Sequence, residues 1–288
     1  MRTETITVHN HTAPLRIWEA IHDDGQVPIH FAHGNGFPAG TYAAFIQPLA
    51  QQHRVYALEH RAIWHGVGAP PKGFSWHDAA DDMIAAIEQF SPNGVIGVGH
   101  SLGGVMTLLA AAKRPDLFKQ IILIEPVIFP TRTFIQAAWM PMWLRAKVIN
   151  IAKRTAQRRS VWDSQDAFVD YHMSKSAFKG IDRAVMMDYA AHGLALDNTS
   201  EQLHHTFPPA WEAHIFRSPA YVWRALTKLK VPCICLRAER SQWISPHSWD
   251  KWQKMRPDYP VLILPNLDHM APLQNPSEVA AAVLQQLR

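Results

Sequence analysis

Cysteine is almost missing from this chain, with only Cys233 and Cys235 among 288 residues. The two stand two apart in an apolar run, where strand neighbours face the same way and cannot readily bridge. A disulfide framework is excluded, and a pair of buried thiols points to a reducing, cytoplasmic setting. Charge is also sparse, at 18% of residues with a formal net charge of +4. No Lys/Arg-rich run or zinc-finger spacing accompanies that mild excess, so nucleic acid is not an expected partner. No apolar stretch is long enough to span a bilayer, which argues against stable membrane insertion. Met1–Val8 alternates like a strand and lacks the apolar centre of a secretory leader. Repeats and low-complexity tracts are missing too. What is present is a 48% hydrophobic chain whose length fits one large domain, or a domain with an insertion. Histidine alone is in excess, with seventeen copies.

The most informative stretch runs Val95-Ile96-Gly97-Val98-Gly99-His100-Ser101-Leu102-Gly103-Gly104. An apolar run stops at a serine with a glycine two positions to either side, and an apolar helical pattern, Val105 to Ala112, follows at once. A strand that turns this sharply into a helix forces the turn residue into a strained conformation. Gly99 and Gly103 remove the side chains that would clash there. Ser101 is thus expected at the sheet tip, its hydroxyl displayed above a helix N-terminus.

Strand-like and helix-like segments alternate around that turn. Ile6–Val8 and Arg16–Ile21 read as an N-terminal hairpin or meander, and Val27–Ala32 as a strand ending at His33-Gly34-Asn35-Gly36. Tyr42–Gln51 and Trp76–Phe90 carry helical stripes on either side of a strand at Val55–Leu58. Gln120–Ile124, Val231–Leu236 and Val261–Leu264 repeat the short buried-strand pattern, and Ser277–Leu287 closes the chain as a helix. Such units imply an α/β fold, a mostly parallel eight-stranded sheet with helices on both faces. Between Ile124 and Val231 the rhythm breaks into a mostly helical excursion holding five of the ten methionines and five of the eleven tryptophans. Adaptable apolar groups placed between strands that flank Ser101 suggest a lid. The expected division is a core of residues 1–128 and 224–288 with a helical cap at 129–223.

Taken in order, four landmarks resemble the α/β-hydrolase superfamily along the whole chain: His33-Gly34-Asn35-Gly36, Gly99-His100-Ser101-Leu102-Gly103, the inserted helices, and Asp268-His269-Met270. The resemblance implies a Ser–His–acid triad, an oxyanion hole of two backbone amides, and no cofactor. Ser101 would be the nucleophile and His269 its general base, reaching back over the sheet tip from a loop between strand and helix. The amides of Asn35 and Leu102 would hold the oxyanion, with Gly34 and Gly36 letting the backbone come close. The Asn35 side chain is expected to add a hydrogen bond to substrate. His100 would serve packing or support.

The acid departs from the common pattern. Where many relatives carry an aspartate after the strand equivalent to Val231–Leu236, this chain reads Arg237-Ala238-Glu239-Arg240-Ser241-Gln242. Ser241 and Gln242 fall at that place, and neither balances an imidazolium. Glu125, rigidly set at a strand end before Pro126, is the preferred substitute, and Glu239 is the alternative. Glu59-His60-Arg61 suggests a structural ion pair through Arg61. His9, His11, His204 and His205 lack the supporting ligands of a metal site. Arg145–Arg159 reads as an amphipathic helix with Val148, Ile151, Ala152 and Thr155 on one side and Lys147, Arg154 and Arg158 elsewhere, a solvated lid face. The expected function is a serine hydrolase cleaving an ester or related acyl bond of a small, largely apolar substrate. A carbon–carbon bond hydrolase, a cofactor-free perhydrolase and a non-enzymatic binder stay open. Dehalogenases and epoxide hydrolases are disfavoured, since they would need aspartate at 101.

Overall fold

The computed structural model describes residues 1–22, 25–141, 144–145, 149–197 and 199–287. The N-terminal strands β1 (Arg2–Val8) and β2 (His11–Trp18) pair antiparallel as a hairpin. Then follow β3 (Ile29–Ala32), β4 (Val55–Leu58), β5 (Val95–His100) and β6 (Phe118–Ile124), and, after the excursion, the last two core strands at Cys233–Ala238 and Val261–Leu264. Every residue of β3, β4 and β5 is buried. Alternate residues of one strand feed opposite faces: Ile121 and Leu123 join the cluster on one side, Ile122 and Ile124 the cluster on the other. A strand covered on both faces therefore reads as an unbroken apolar run. The helix α1 (Ala43–Leu49) packs with Pro276–Leu284, while α2 (Trp76–Phe90) and α3 (Leu102–Lys113) pack together within the other cluster. α2 spans the Trp76–Phe90 range read from the sequence, and a reciprocal Ser75–Asp78 capping box starts it.

The excursion holds helices at Thr131–Ala138, Asn150–Ala156, Gln165–Met173, Arg183–Gly193 and Pro209–Arg217. It also holds a three-stranded antiparallel sheet that the helical reading misses, β7 (Val161–Trp162), β8 (Leu194–Asp197) and β9 (Gln202–His205), with β9 in the middle. Strands of two to four residues, partly polar, carry no usable period. The Asn150–Ala156 helix buries Ala152 and Thr155 as expected but leaves Ile151 37% exposed, so the apolar stripe is narrower than its sequence suggests. Met142, Trp143, Lys147 and Val148, which belong to the lid and helix readings, lie outside the described residues. The segment is stitched to the rest by indole N–H donors, Trp76 to the Ile215 carbonyl at 2.9 Å and Trp211 to the Gly68 carbonyl at 2.8 Å. Among the described residues no helix is long and apolar enough to cross a membrane.

With Cys233–Ala238 as β10 and Val261–Leu264 as β11, the large sheet runs β1-β2-β4-β3-β5-β6-β10-β11. Pairing is antiparallel from β1 through β2 to β4 and parallel across the rest. This is the expected mostly parallel eight-stranded α/β sheet.

Many of the histidines prove to be core residues. His30, His60 and His100 are all buried. Burial, reinforced by neighbouring His33, lowers His30 to about 3 and His60 well below the usual imidazole value. Burial also lowers His100 to about 3. Glu59 goes the other way in charge: burial pushes its carboxyl up, yet the contacts to His33 and Arg16 hold it at about 2. Arg61 pairs with Asp82 at 2.9 Å, the structural ion pair read from the sequence. As pH falls below 6.5 the unfolded chain's histidines take up protons that the three buried ones refuse, so the folded state loses stability, for His30 and His100 until about pH 3. Each such histidine contributes roughly 1 kcal/mol per pH unit in that window. Thermal midpoints are expected to fall steadily from pH 7 to pH 4.5, and a flat profile over that range would contradict these burials.

Candidate active site

Ser101 caps α3 with φ 55° and ψ −118°, a combination that L residues adopt only under constraint. The flanking glycines explain how the turn closes. A Cβ on Gly99 would lie 2.4 Å from the Gly103 carbonyl oxygen, and one on Gly103 would lie 2.0 Å from that of Ala32. The Ser101 amide donates to the Ile124 carbonyl at 3.0 Å, tying the turn to the neighbouring strand end.

His269 follows β11 on a loop whose shape is set locally. Asn266 takes φ 57°, its amide donates to Glu239 Oε2 at 2.8 Å, and Asp268 Oδ1 accepts from the Met270 amide at 2.9 Å. This loop brings His269 Nε2 to 2.9 Å from Ser101 Oγ and Nδ1 to 3.3 Å from Glu125 Oε2. Glu125 sits at the tip of β6 with φ 47° and no solvent exposure. Its Oε1 accepts from the Ala238 amide at 2.7 Å, and its Oε2 also accepts from Ser241 Oγ at 2.7 Å. A buried carboxylate with this many donors is held in one orientation. Glu239 is exposed and spent on the Asn266 amide. Ser241 is the partner that the sequence reading passed over. It cannot carry the acid's charge, but its hydroxyl meets the carboxylate that does the facing, and the signal was its place in the vacated aspartate position.

Gly34 lies against Ser101, its would-be Cβ 3.7 Å from Ser101 Cβ. Neither the Asn35 nor the Leu102 amide donates to a protein acceptor among the described residues. The Asn35 side chain is used on one atom only, its buried Oδ1 having no hydrogen-bond partner among the described residues. Its Nδ2 donates to the Glu212 carbonyl at 3.1 Å, so that donor is spent on the excursion. Glu212 stands over Gly36 and pairs with Arg158 at 2.6 Å. Burial, only partly opposed by Arg158, raises the Glu212 carboxyl to about 6. His100 points away from the serine hydroxyl, with Nδ1 2.8 Å from Tyr42 Oη and Nε2 2.7 Å from the His269 carbonyl oxygen. On the other side of His269 the Trp243 ring lies 5.1 Å away and itself stacks on Phe216.

His9 reaches Asp82 at 3.6 Å and His205 accepts from the Trp162 indole at 3.2 Å. No group of three potential metal ligands gathers among the described residues. Chemically, the arrangement at the sheet tip is a hydroxyl, a base able to take its proton, a carboxylate behind that base, and two unspent amides nearby.

Comparison with known proteins agrees with this architecture. The 2-(acetamidomethylene)succinate hydrolase of Mesorhizobium japonicum is 24% identical over 257 residues, covering 88% of this chain and 86% of its own. The crystal structure of E-2-(acetamidomethylene)succinate hydrolase superposes with a TM-score of 0.78 at 21% identity, over 99% of this chain and 98% of that one. The thioesterase domain from the curacin biosynthetic pathway follows at 0.75 and 14% identity, over 99% of each. At such identities the structural likeness carries the fold. A model of the alpha/beta hydrolase family matches residues 31–282. With that match over most of its length, the chain belongs to the alpha/beta hydrolase family.

Proposed function

We propose that this protein is a serine hydrolase that cleaves an ester or related acyl bond of a small, largely apolar substrate through an acyl-enzyme. The observation that carries this reading is the continuous contact from Ser101 Oγ through His269 to Glu125, at 2.9 and 3.3 Å. Nε2 of His269 accepts the hydroxyl proton as Ser101 Oγ attacks the acyl carbon. The developing oxyanion is met by the Asn35 and Leu102 amides. Glu125, accepting from Nδ1–H, fixes the tautomer and stabilises the imidazolium. His269 then protonates the leaving group, and a water activated by the same base releases the acyl chain. Residues 129–223 act as the cap over this site. Trp243 and Phe216 give an apolar flank beside the base, which favours an acyl or aromatic group. That a full-length relative is named a hydrolase of an acetamido compound supports an amide-type acyl bond as a second reading of the same chemistry.

A fluorophosphonate probe tests the class. It should modify Ser101, and Ser101→Ala or His269→Ala should abolish the adduct; no adduct on the native protein would leave a binder. Turnover of p-nitrophenyl esters of rising chain length beside meta-cleavage diketones separates acyl from carbon–carbon cleavage. Glu125→Gln should lower kcat by about 10³- to 10⁴-fold, whereas Glu239→Gln should stay within a few-fold. Because Ser241 Oγ already lies 2.7 Å from the acid, Glu125→Gln combined with Ser241→Asp should recover about tenfold or more of that loss. The reverse ranking of the two glutamate variants would move the acid to Glu239.

A further inference from the structure

We propose that His100 and Tyr42 are positioning residues that lock the backbone of the general base to the backbone of the oxyanion loop through one buried chain of hydrogen bonds. The proposal rests on the serine hydrolase reading and adds two residues that the triad itself does not use. The chain has four groups. The Gly34 amide donates to Tyr42 Oη at 3.2 Å, Tyr42 Oη contacts His100 Nδ1 at 2.8 Å, and His100 Nε2 contacts the His269 carbonyl oxygen at 2.7 Å.

The ends fix the direction of every bond between them. A carbonyl only accepts, so His100 Nε2 carries the hydrogen and Nδ1 holds a lone pair. A backbone amide only donates, so Tyr42 Oη accepts from Gly34 and gives its own hydrogen to His100 Nδ1. The other tautomer would set a lone pair against the His269 carbonyl and leave the tyrosine hydrogen without an acceptor. Burial supports the same assignment: Tyr42 is fully enclosed and His100 is 1% exposed. The imidazole, lowered to about 3, stays neutral, and the phenol, raised by burial, keeps its proton.

The consequence is mechanical. His100 precedes the nucleophile on β5, so the strand that carries Ser101 also anchors the loop that carries its base. Tyr42 continues that anchor to Gly34, one residue before the Asn35 amide. There is no slack at this junction, since a Cβ on Gly34 would lie 2.9 Å from Tyr42 Oη and 3.3 Å from His100 Nδ1. The His269 ring is then free to contact Ser101 and Glu125 while its own carbonyl is pinned from behind. Shifts of about 1 Å in such an arrangement cost on the order of 100-fold in rate.

Three variants test this. Tyr42→Phe keeps the ring that packs on Phe31 at 4.9 Å and deletes only the hydroxyl. His100→Met keeps the bulk and deletes both bonds, while His100→Gln retains one donor and one acceptor. We expect kcat on a p-nitrophenyl ester, and the rate of fluorophosphonate labelling, to fall roughly 10-fold in Tyr42→Phe and on the order of 100-fold in His100→Met, with KM little changed. His100→Gln should recover to within about threefold of the native rate, because it can span the same two partners. A Tyr42→Phe protein that labels and turns over at the native rate would overturn the proposal, as would His100→Gln as impaired as His100→Met. Should His100→Met fail to fold, Tyr42→Phe and His100→Gln decide alone. Native protein that takes no label would instead sink the hydrolase reading, so the two failures are distinct.

Discussion

The site depends on a steric constraint at the end of β5. Ser101 can hold a positive φ only because the chain passes there without side chains at 99 and 103, close enough that any Cβ would strike backbone. The atoms it would strike are informative. Those next to Gly103 are the carbonyls of Ala32 and His33, the very end of β3. The contact that lets the serine turn is therefore the contact that delivers His33-Gly34-Asn35 to its side. Ser101 and the His33–Gly36 loop are brought together by a single close approach, and larger residues at 99 or 103 would separate them.

A second strained residue stands one strand over. Glu125 repeats the geometry of Ser101, with positive φ at a strand tip and an amide that donates to the next strand, here the Leu236 carbonyl at 2.9 Å. Ser101 bonds to Ile124 and Glu125 to Leu236, so the tips of β5, β6 and β10 are tied in series. A carboxylate on β6 stands one strand farther from β11, which leads into the His269 loop, than one on the loop after β10, and glutamate has the longer side chain with which to span that distance. Ser241 then serves the carboxylate as a donor. With the Ala238 amide and His269 Nδ1 it makes three partners for a group fully removed from water. Such burial without partners would cost several kcal/mol.

What the sequence disclosed follows from how local each signal is. Strands buried on both faces, the Gly99–Ser101–Gly103 turn and the Trp76–Phe90 helical stripe are written in consecutive residues, and their positions matched to within a few residues. The preference for Glu125 over Glu239 also came from local rigidity, a strand end followed by Pro126. What stayed hidden depends on partners far along the chain. The Asn35 side chain donates to the Glu212 carbonyl, 177 positions away, and His100 meets the carbonyl of residue 269. Neither pairing leaves a mark in its own neighbourhood. The small sheet β7-β9-β8 was hidden for another reason: its strands are too short to show a period, and tertiary packing alone defines them.

The loop from His33 to Gly36 raises a question of rigidity that its composition makes acute. Two glycines in four residues give a backbone with wide conformational freedom, yet on the proposed reading its donors work only if fixed before charge appears. The stiffness has to come from outside, and three grips provide it. From beneath, Tyr42 holds the Gly34 amide. From above, Tyr189 donates to the Gly36 carbonyl at 3.2 Å and the Glu212 carbonyl accepts from the Asn35 side chain at 3.1 Å. The glycines are thus needed for close approach, and their freedom is removed by residues from α1's approach and from the excursion. On the proposed reading, the segment that covers the substrate is also part of what makes the Asn35 amide a prepared donor. Binding and catalysis then share a mechanical element, so a change at Tyr189 or Glu212 acts on the transition state even though neither touches the reacting atoms.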